Sequence, residues 1–325
     1  MEVMIMDAVT RVQHAMKKLP VDRVPVGFLK HFEYETDNAV AEQTTWALKN
    51  RIDFLTIEMD GFMEFASDTP LVTAQDWGKI RPHKKTDPYI AGQYDRACRA
   101  VERVAGNCAT FYSFFAPYST IKHTTGNETR VNLLYREDPE AITHAMEVIE
   151  EDNRLLMDML QGIGLTGVAV AFQNAEEWRF TYDEYRELLT PWDKRLLGEL
   201  RSSYEYVLTH LCFWGNEPNN FEVWKDYDMM CCNWGVHIER DMPLAKGLTW
   251  FDSKPSVYGG FDVRPNKLII TGTEKEIKDY TKQIIRETGR TGVMISSDCS
   301  LLDNTPDEHI RFVVEATEEY ETENA

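Results

Sequence analysis

Residues 203–217 read SYEYVLTHLCFWGNE. The centre of the stretch is apolar and β-branched, and Gly215-Asn216 breaks it, which is the pattern of a short buried strand closing on a turn. Successive side chains of a strand point to opposite faces, so His210 and Cys212 share a face at its C-terminal end. An imidazole and a thiol aimed the same way suit a single soft metal ion. The fold is decided by whether the rest of the chain repeats this unit.

Outward in both directions, it does. Apolar runs at 24–29, 52–57, 108–115, 167–172 (GVAVAF), 228–236, 257–261 and 291–296 read as strands. Helical patterns lie between most of them, at 37–49, 88–105, 138–162 and 273–288, with a first helix at 1–18 and a last one from Thr305-Pro306. Asp138-Pro139 is a cap followed by a first-turn proline, and Thr181-x-x-Glu184 and Thr273-x-x-Glu276 are capping boxes. Loops are expected around Pro70, Trp77 and Pro82, an insertion at 123–135, and a fraying acidic tail from Glu315. Eight strands alternating with helices predict an α/β fold, a (β/α)8 TIM barrel. With no internal repeat or linker, residues 1–325 are expected to form one domain.

A formal net charge of −19 disfavours nucleic acid and anionic membranes as partners, because phosphate binding needs clustered Lys and Arg. No apolar run approaches a membrane span, and no basic-then-apolar leader is visible at the N-terminus. Six cysteines, two of them adjacent, do not read as a secreted disulfide framework; reduced thiols of a cytoplasmic protein fit better.

In a β/α barrel the C-terminal strand ends build the active site. His31, Asp60, Gln173, His210, Cys212, Asp262 and Cys299 all fall at or just past such ends. One His and two Cys form a catalytic type of zinc set, three protein ligands with a fourth position open. His210, Cys212 and Cys299 are therefore the candidate metal ligands. Alternation sends Cys231 and Cys232 to opposite faces, so one of them could replace a ligand cysteine. Asp60 and Gln173 are the candidate catalytic residues. For Asp60 and Glu58 the roles of acid, fourth ligand or solvated loop carboxylate remain open, as do substrate binding or loop capping for Gln173 and Asn174. His31, His123 and His237 read as surface or satisfied core histidines, and Trp178, Trp214, Trp234 and Trp250 as core packing before pocket lining. No phosphate-loop or dinucleotide fingerprint is present.

These pieces resemble the uroporphyrinogen decarboxylase superfamily, in particular its zinc-dependent, cobalamin-linked methyltransferase branch. The resemblance rests on Asp22-Arg23-Val24-Pro25-Val26, Phe115-Ala116-Pro117, Asp138-Pro139-Glu140, His210-Leu211-Cys212, Gly272-Thr273-Glu274 and GVMISSDCSLLDNTPDEHI at 292–310. It implies zinc on His210, Cys212 and Cys299, and methyl transfer between a corrinoid and a small-molecule methyl donor or acceptor such as a methyl ether or a thiol. No cobalamin-binding module is visible, so the corrinoid is expected on a partner protein. Decarboxylase relatives are dimers, which makes a homodimer one expected state. Two departures stand out. The decarboxylases' arginine-rich motif is replaced by Phe28-Leu29-Lys30-His31-Phe32, and Phe213-Trp214 separate Cys212 from Gly215. The first counts against a substrate carrying many carboxylates; the second leans toward an apolar methyl donor. A metal-free decarboxylase and a non-catalytic small-molecule-binding barrel are the alternative readings.

Overall fold

The computed structural model describes residues 5–32, 38–127 and 129–324. One all-parallel sheet runs in chain order through β1 (Phe54–Ile57), β2 (Ala109–Phe115), β3 (Gly167–Phe172), β4 (Val207–Leu211), β5 (Cys231–Trp234), β6 (Ser256–Phe261) and β7 (Val293–Ser297). Helices occupy most of the crossovers, as parallel pairing demands. Pro88–Val104 lies between β1 and β2, Pro139–Leu160 between β2 and β3, Thr190–Ser203 between β3 and β4, and Glu274–Thr288 between β6 and β7. The strands are buried on both faces, which is why they read as continuous apolar runs.

The segment before β1 spans the two edges of this sheet. Val26 bridges Ile295 of β7, Gly27 bridges Phe54 of β1, and Lys30 bridges Leu301, all in parallel sense. The architecture is TIM-barrel-like. The strand expected at 24–29 is thus corrected to a set of isolated bridges, for a local reason. Pro25 has no N–H to donate, and the Val26 N–H is taken by the Asp53 carboxylate at 2.8 Å instead of a neighbouring strand. Gly27 is needed there for another reason: a β-carbon on it would sit 2.4 Å from the Phe54 ring.

The barrel interior has a closed lower end. Phe54, Phe111, Ala169, Leu208, Cys231, Tyr258 and Met294 form one cluster with Val12, Ala15 and Met16 of the helix Ala8–Met16. That helix plugs the N-terminal end of the sheet, leaving the opposite end open. Phe54 meets Phe111 and Tyr258 edge-on, with centroids 6.4 and 5.9 Å apart.

Further differences from expectation have visible causes. Residues 123–135 belong mostly to two helices, Pro117–Thr125 and Arg130–Glu137, the first preset by Pro117 at its start. The acidic tail does not fray at Glu315: the helix Asp307–Glu323 continues because Lys278 pairs with Glu315 and Glu319, and Lys282 with Glu319 and Glu323. Residues 1–4 of the expected first helix, and Glu33 and Asp37, lie outside the described residues.

Asp53 holds the seam. Besides the Val26 N–H, its carboxylate accepts from Arg11 at 2.6 Å and Arg23 at 2.7 Å. Asp53→Ala strands two largely buried guanidinium groups, and removing one partner of a buried ion network costs about 3–5 kcal/mol. The expected outcome is a clear fall in the urea midpoint, checked by fluorescence and circular dichroism. A midpoint equal to wild type contradicts this role.

Candidate metal centre

Along β4 the side chains alternate as the sequence requires: Leu208 joins the barrel interior, and His210 stands one step above it toward the open mouth. Cys212 lies just past the strand, where its N–H still donates to Phe172 O at 2.9 Å. Cys299 lies just past β7, on the turn after Asp298. The structure brings the three together: their ligand atoms all lie within 4.8 Å of one another. Cys299 Sγ is 3.6 Å from His210 Nε2. Zinc bonds of about 2.3 Å to sulfur and about 2.0 Å to nitrogen, at a tetrahedral angle, would set such a pair about 3.5 Å apart.

The orientation of His210 is fixed from behind. Asn233, its register partner on β5, donates through Nδ2 to Tyr258 O at 2.7 Å and Ser297 O at 2.9 Å. Two carbonyls can only accept, so the amide oxygen is the atom that faces His210 Nδ1, at 2.5 Å. Nδ1 must therefore carry the proton, and the lone pair of Nε2 points at the cysteines. A ring nitrogen held in this way is the usual support of a metal-bound histidine. Gly259, with φ +147°, leaves room for the amide: a β-carbon there would lie 3.0 Å from Asn233 Nδ2.

The three donors share protons. The hydrogen bond from Cys299 holds the Cys212 thiol well below its ordinary range against the effect of burial, with His210 adding to the lowering. Cys299 is pushed well above its ordinary value by that same bond and by burial. Burial disfavours the His210 imidazolium, yet the charge of Cys212 and the bonds to Cys212 and Asn233 raise it on balance. A thiolate, a thiol that can become one, and an imidazole with a free Nε2 form a donor set that fits zinc.

The set opens onto a small recess of about 80 Å³. Phe115, Ala169, Ala171 and Leu29 give it apolar walls, and His31, Glu58, Gln173 and Tyr258 supply polar groups. Gln173 Oε1 and the Tyr258 hydroxyl are buried there with no hydrogen-bond partner. Such orphans cost about 1–3 kcal/mol each unless a ligand satisfies them. Asp60 is buried behind His31: its carboxylate accepts from Phe32 N at 2.9 Å and faces His31 Nδ1 at 2.5 Å. Asn174 bonds Ser119 instead of facing the recess.

Other candidates are placed elsewhere. Cys231 points into the lower barrel cluster and Cys232 into the outer core, so neither joins the three donors. Asp262 is held by Arg264 and Lys267. His237 is bound by Asp298 at 2.6 Å and braces the turn that presents Cys299. Phe213 and Trp214 do not line the recess; Phe213 is buried against Gly235 and Trp214 is exposed. Trp178 is exposed as well, whereas Trp234 is core. The residues missed by sequence reasoning are Asn233 and Tyr258, and the place of His31. The one available signal was a buried-strand asparagine between Cys232 and Trp234.

The model of the uroporphyrinogen decarboxylase (URO-D) family matches residues 64–320. The chain belongs to the uroporphyrinogen decarboxylase family. Among solved structures it is similar to a methyltransferase from Methanosarcina mazei, at 15% identity and a TM-score of 0.71, covering 97% of this chain and 99% of that one. It is also similar to a B12-independent methionine synthase from Shewanella sp. W3-18-1 in complex with selenomethionine, at 11% identity and TM-score 0.57, covering 93% and 99%. At these identities the likeness establishes a shared fold. No curated protein matches at the sequence level. Within this uroporphyrinogen decarboxylase-family recess, no Lys or Arg is among the lining residues.

Replacing Asn233 with Ala releases the His210 ring without touching a donor atom. Loss of such a supporting bond weakens metal affinity by about 10–100-fold. Competition with a chromophoric chelator checks this, and unchanged zinc affinity contradicts it.

Proposed function

We propose that this chain is a zinc-dependent methyltransferase that moves a methyl group between a corrinoid, carried by a partner protein, and a small molecule. The observation that carries the reading is the convergence of His210, Cys212 and Cys299 at the mouth of the barrel, with Nε2 of His210 freed by Asn233.

His210, Cys212 and Cys299 would hold the metal, leaving one position toward the recess. Bound there, zinc supplies Lewis acidity, either lowering the pKa of an acceptor thiol or polarising the heteroatom of a methyl donor. The chain's own residues do the rest. Phe115, Ala169 and Ala171 exclude water from around a methyl group. Gln173 Oε1 and the Tyr258 hydroxyl offer unpaired bonds to orient a small polar group. Asp60 and Gln173 are proposed as functional residues in different senses: Gln173 contacts the substrate, and Asp60 acts through His31.

The mouth suits a corrinoid presented by another protein, since Cys212 and Cys299 are both partly exposed there. The similarity to the Methanosarcina mazei methyltransferase fold supports the reading. Decarboxylation of a tetrapyrrole with many carboxylates is disfavoured, because the recess presents Glu58 and no Lys or Arg to such a substrate. No described helix is long and apolar enough to cross a membrane.

Purified protein is expected to bind about one zinc per chain, falling below about half in His210→Ala and Cys299→Ser. With the wild type, cobalamin absorbance should report a change in methylation state with at least one donor or acceptor. In the two variants the rate should fall by roughly 100-fold or more, as loss of metal-assisted chemistry requires. Substoichiometric zinc, unchanged in both variants, contradicts the reading.

A further inference from the structure

His31 lines the recess together with the three candidate ligands without being one of them. The chain brings it there by backbone pairing: Leu301 N donates to Leu29 O at 2.8 Å and Lys30 bridges Leu301, so the His31 turn runs beside the Cys299 turn. His31, Cys299, Cys212 and His210 all line the same recess. Asp60, buried just past β1, fixes the ring through Nδ1 at 2.5 Å and also receives the next backbone N–H, that of Phe32. Nε2 bonds no described residue and is left for a ligand. A carboxylate behind one nitrogen and an unoccupied second nitrogen is the arrangement of a proton-transferring histidine.

We propose that His31, oriented by Asp60, donates a proton through Nε2 to the leaving heteroatom of the methyl donor, and that the donor therefore carries its methyl on a neutral oxygen, as an ether or alcohol does. This rests on the methyl-transfer reading above. In the step, the carbon–oxygen bond breaks and its electron pair stays on oxygen. The methyl group bonds to the electron pair of the nucleophile, a reduced corrinoid cobalt. The proton from His31 converts the departing oxygen anion to a hydroxyl, and the neutral ring regains a proton from solvent. A leaving alkoxide is strongly basic, so the proton is worth most with this class of donor. A quaternary ammonium donor leaves as a neutral amine and needs none.

The charge state agrees with the geometry. Burial opposes the His31 imidazolium, but the Asp60 bond and the charges of Glu58, Asp60 and Cys212 outweigh it and raise the ring to about 9. The ring is thus protonated at neutral pH. Because its pKa is raised on folding, the stabilisation it brings is complete below the ordinary value of about 6.5 and is lost as pH rises through about 9.

The test uses zinc-loaded full-length protein, its His31→Gln and Asp60→Asn variants, cob(I)alamin and two series of donors, methyl ethers and methylammonium salts. Zinc content should equal wild type in both variants. Ether turnover should fall by about 100-fold or more in His31→Gln, the scale of a lost general acid, while ammonium turnover falls less than about tenfold. Nitrogen-15 NMR of the His31 ring should show a clear downward shift of its midpoint in Asp60→Asn relative to wild type, because the Asp60 bond is what holds the ring up. Equal loss across both series, no loss at all, or a midpoint unmoved in Asp60→Asn overturns this step and leaves the methyl-transfer reading standing. A wild type inert with every donor overturns that reading, and this step with it.

Discussion

The site depends on one side-chain amide. Asn233 is buried inside the barrel and bonds three strands at once: His210 of β4 through its oxygen, and the carbonyls of Tyr258 on β6 and Ser297 on β7 through its nitrogen. The two carbonyls settle which way the amide faces, the amide settles which nitrogen of His210 carries the proton, and the free nitrogen then meets Cys299. Because Ser297 lies two residues before Cys299, the same amide also ties down the strand that delivers the third donor. A buried polar network of this kind is costly when incomplete and specific when complete. Here both N–H groups of the Asn233 amide and its oxygen are bonded.

The barrel divides its work between two ends. The lower end is filled with Phe54, Phe111, Tyr258 and the helix Ala8–Met16, and its seam is locked by Asp53 and two arginines. The upper end keeps what a stable core would avoid: two cysteines partly open to solvent, a half-exposed histidine on a buried carboxylate, and orphaned polar atoms on Gln173 and Tyr258. Such groups are tolerable because the opposite end is over-determined. Deep burial of the orphans is a reason to expect a ligand that bonds them.

Much of this was legible in the sequence, and the limits are physical. The GVAVAF strand matches residue for residue, because a strand buried on both faces has no ambiguity of pattern. His210 and Cys212 share a face by alternation alone, and Cys299 follows once its strand is placed. The first strand was overcounted because its apolar pattern is real, but Pro25 and the claim of Asp53 on the Val26 N–H prevent a ladder. The acidic tail read as fraying because sequence shows its charges without the lysines of a neighbouring helix that neutralise them. Asn233 and the His31–Asp60 pair were not legible as partners, since each is defined by a contact across the barrel, His210 and Asn233 being 23 positions apart and His31 and Asp60 29. Periodicity assigns faces and says nothing of which residues on one face touch.

The central claim is that one histidine and two cysteines converge on a single zinc ion at this rim. X-ray absorption at the zinc edge of the loaded protein measures it most directly. Two sulfur scatterers at about 2.3 Å and nitrogen or oxygen neighbours at about 2.0–2.1 Å are expected, with one sulfur lost in Cys299→Ser. A first shell without sulfur, or one unchanged by that substitution, would contradict it.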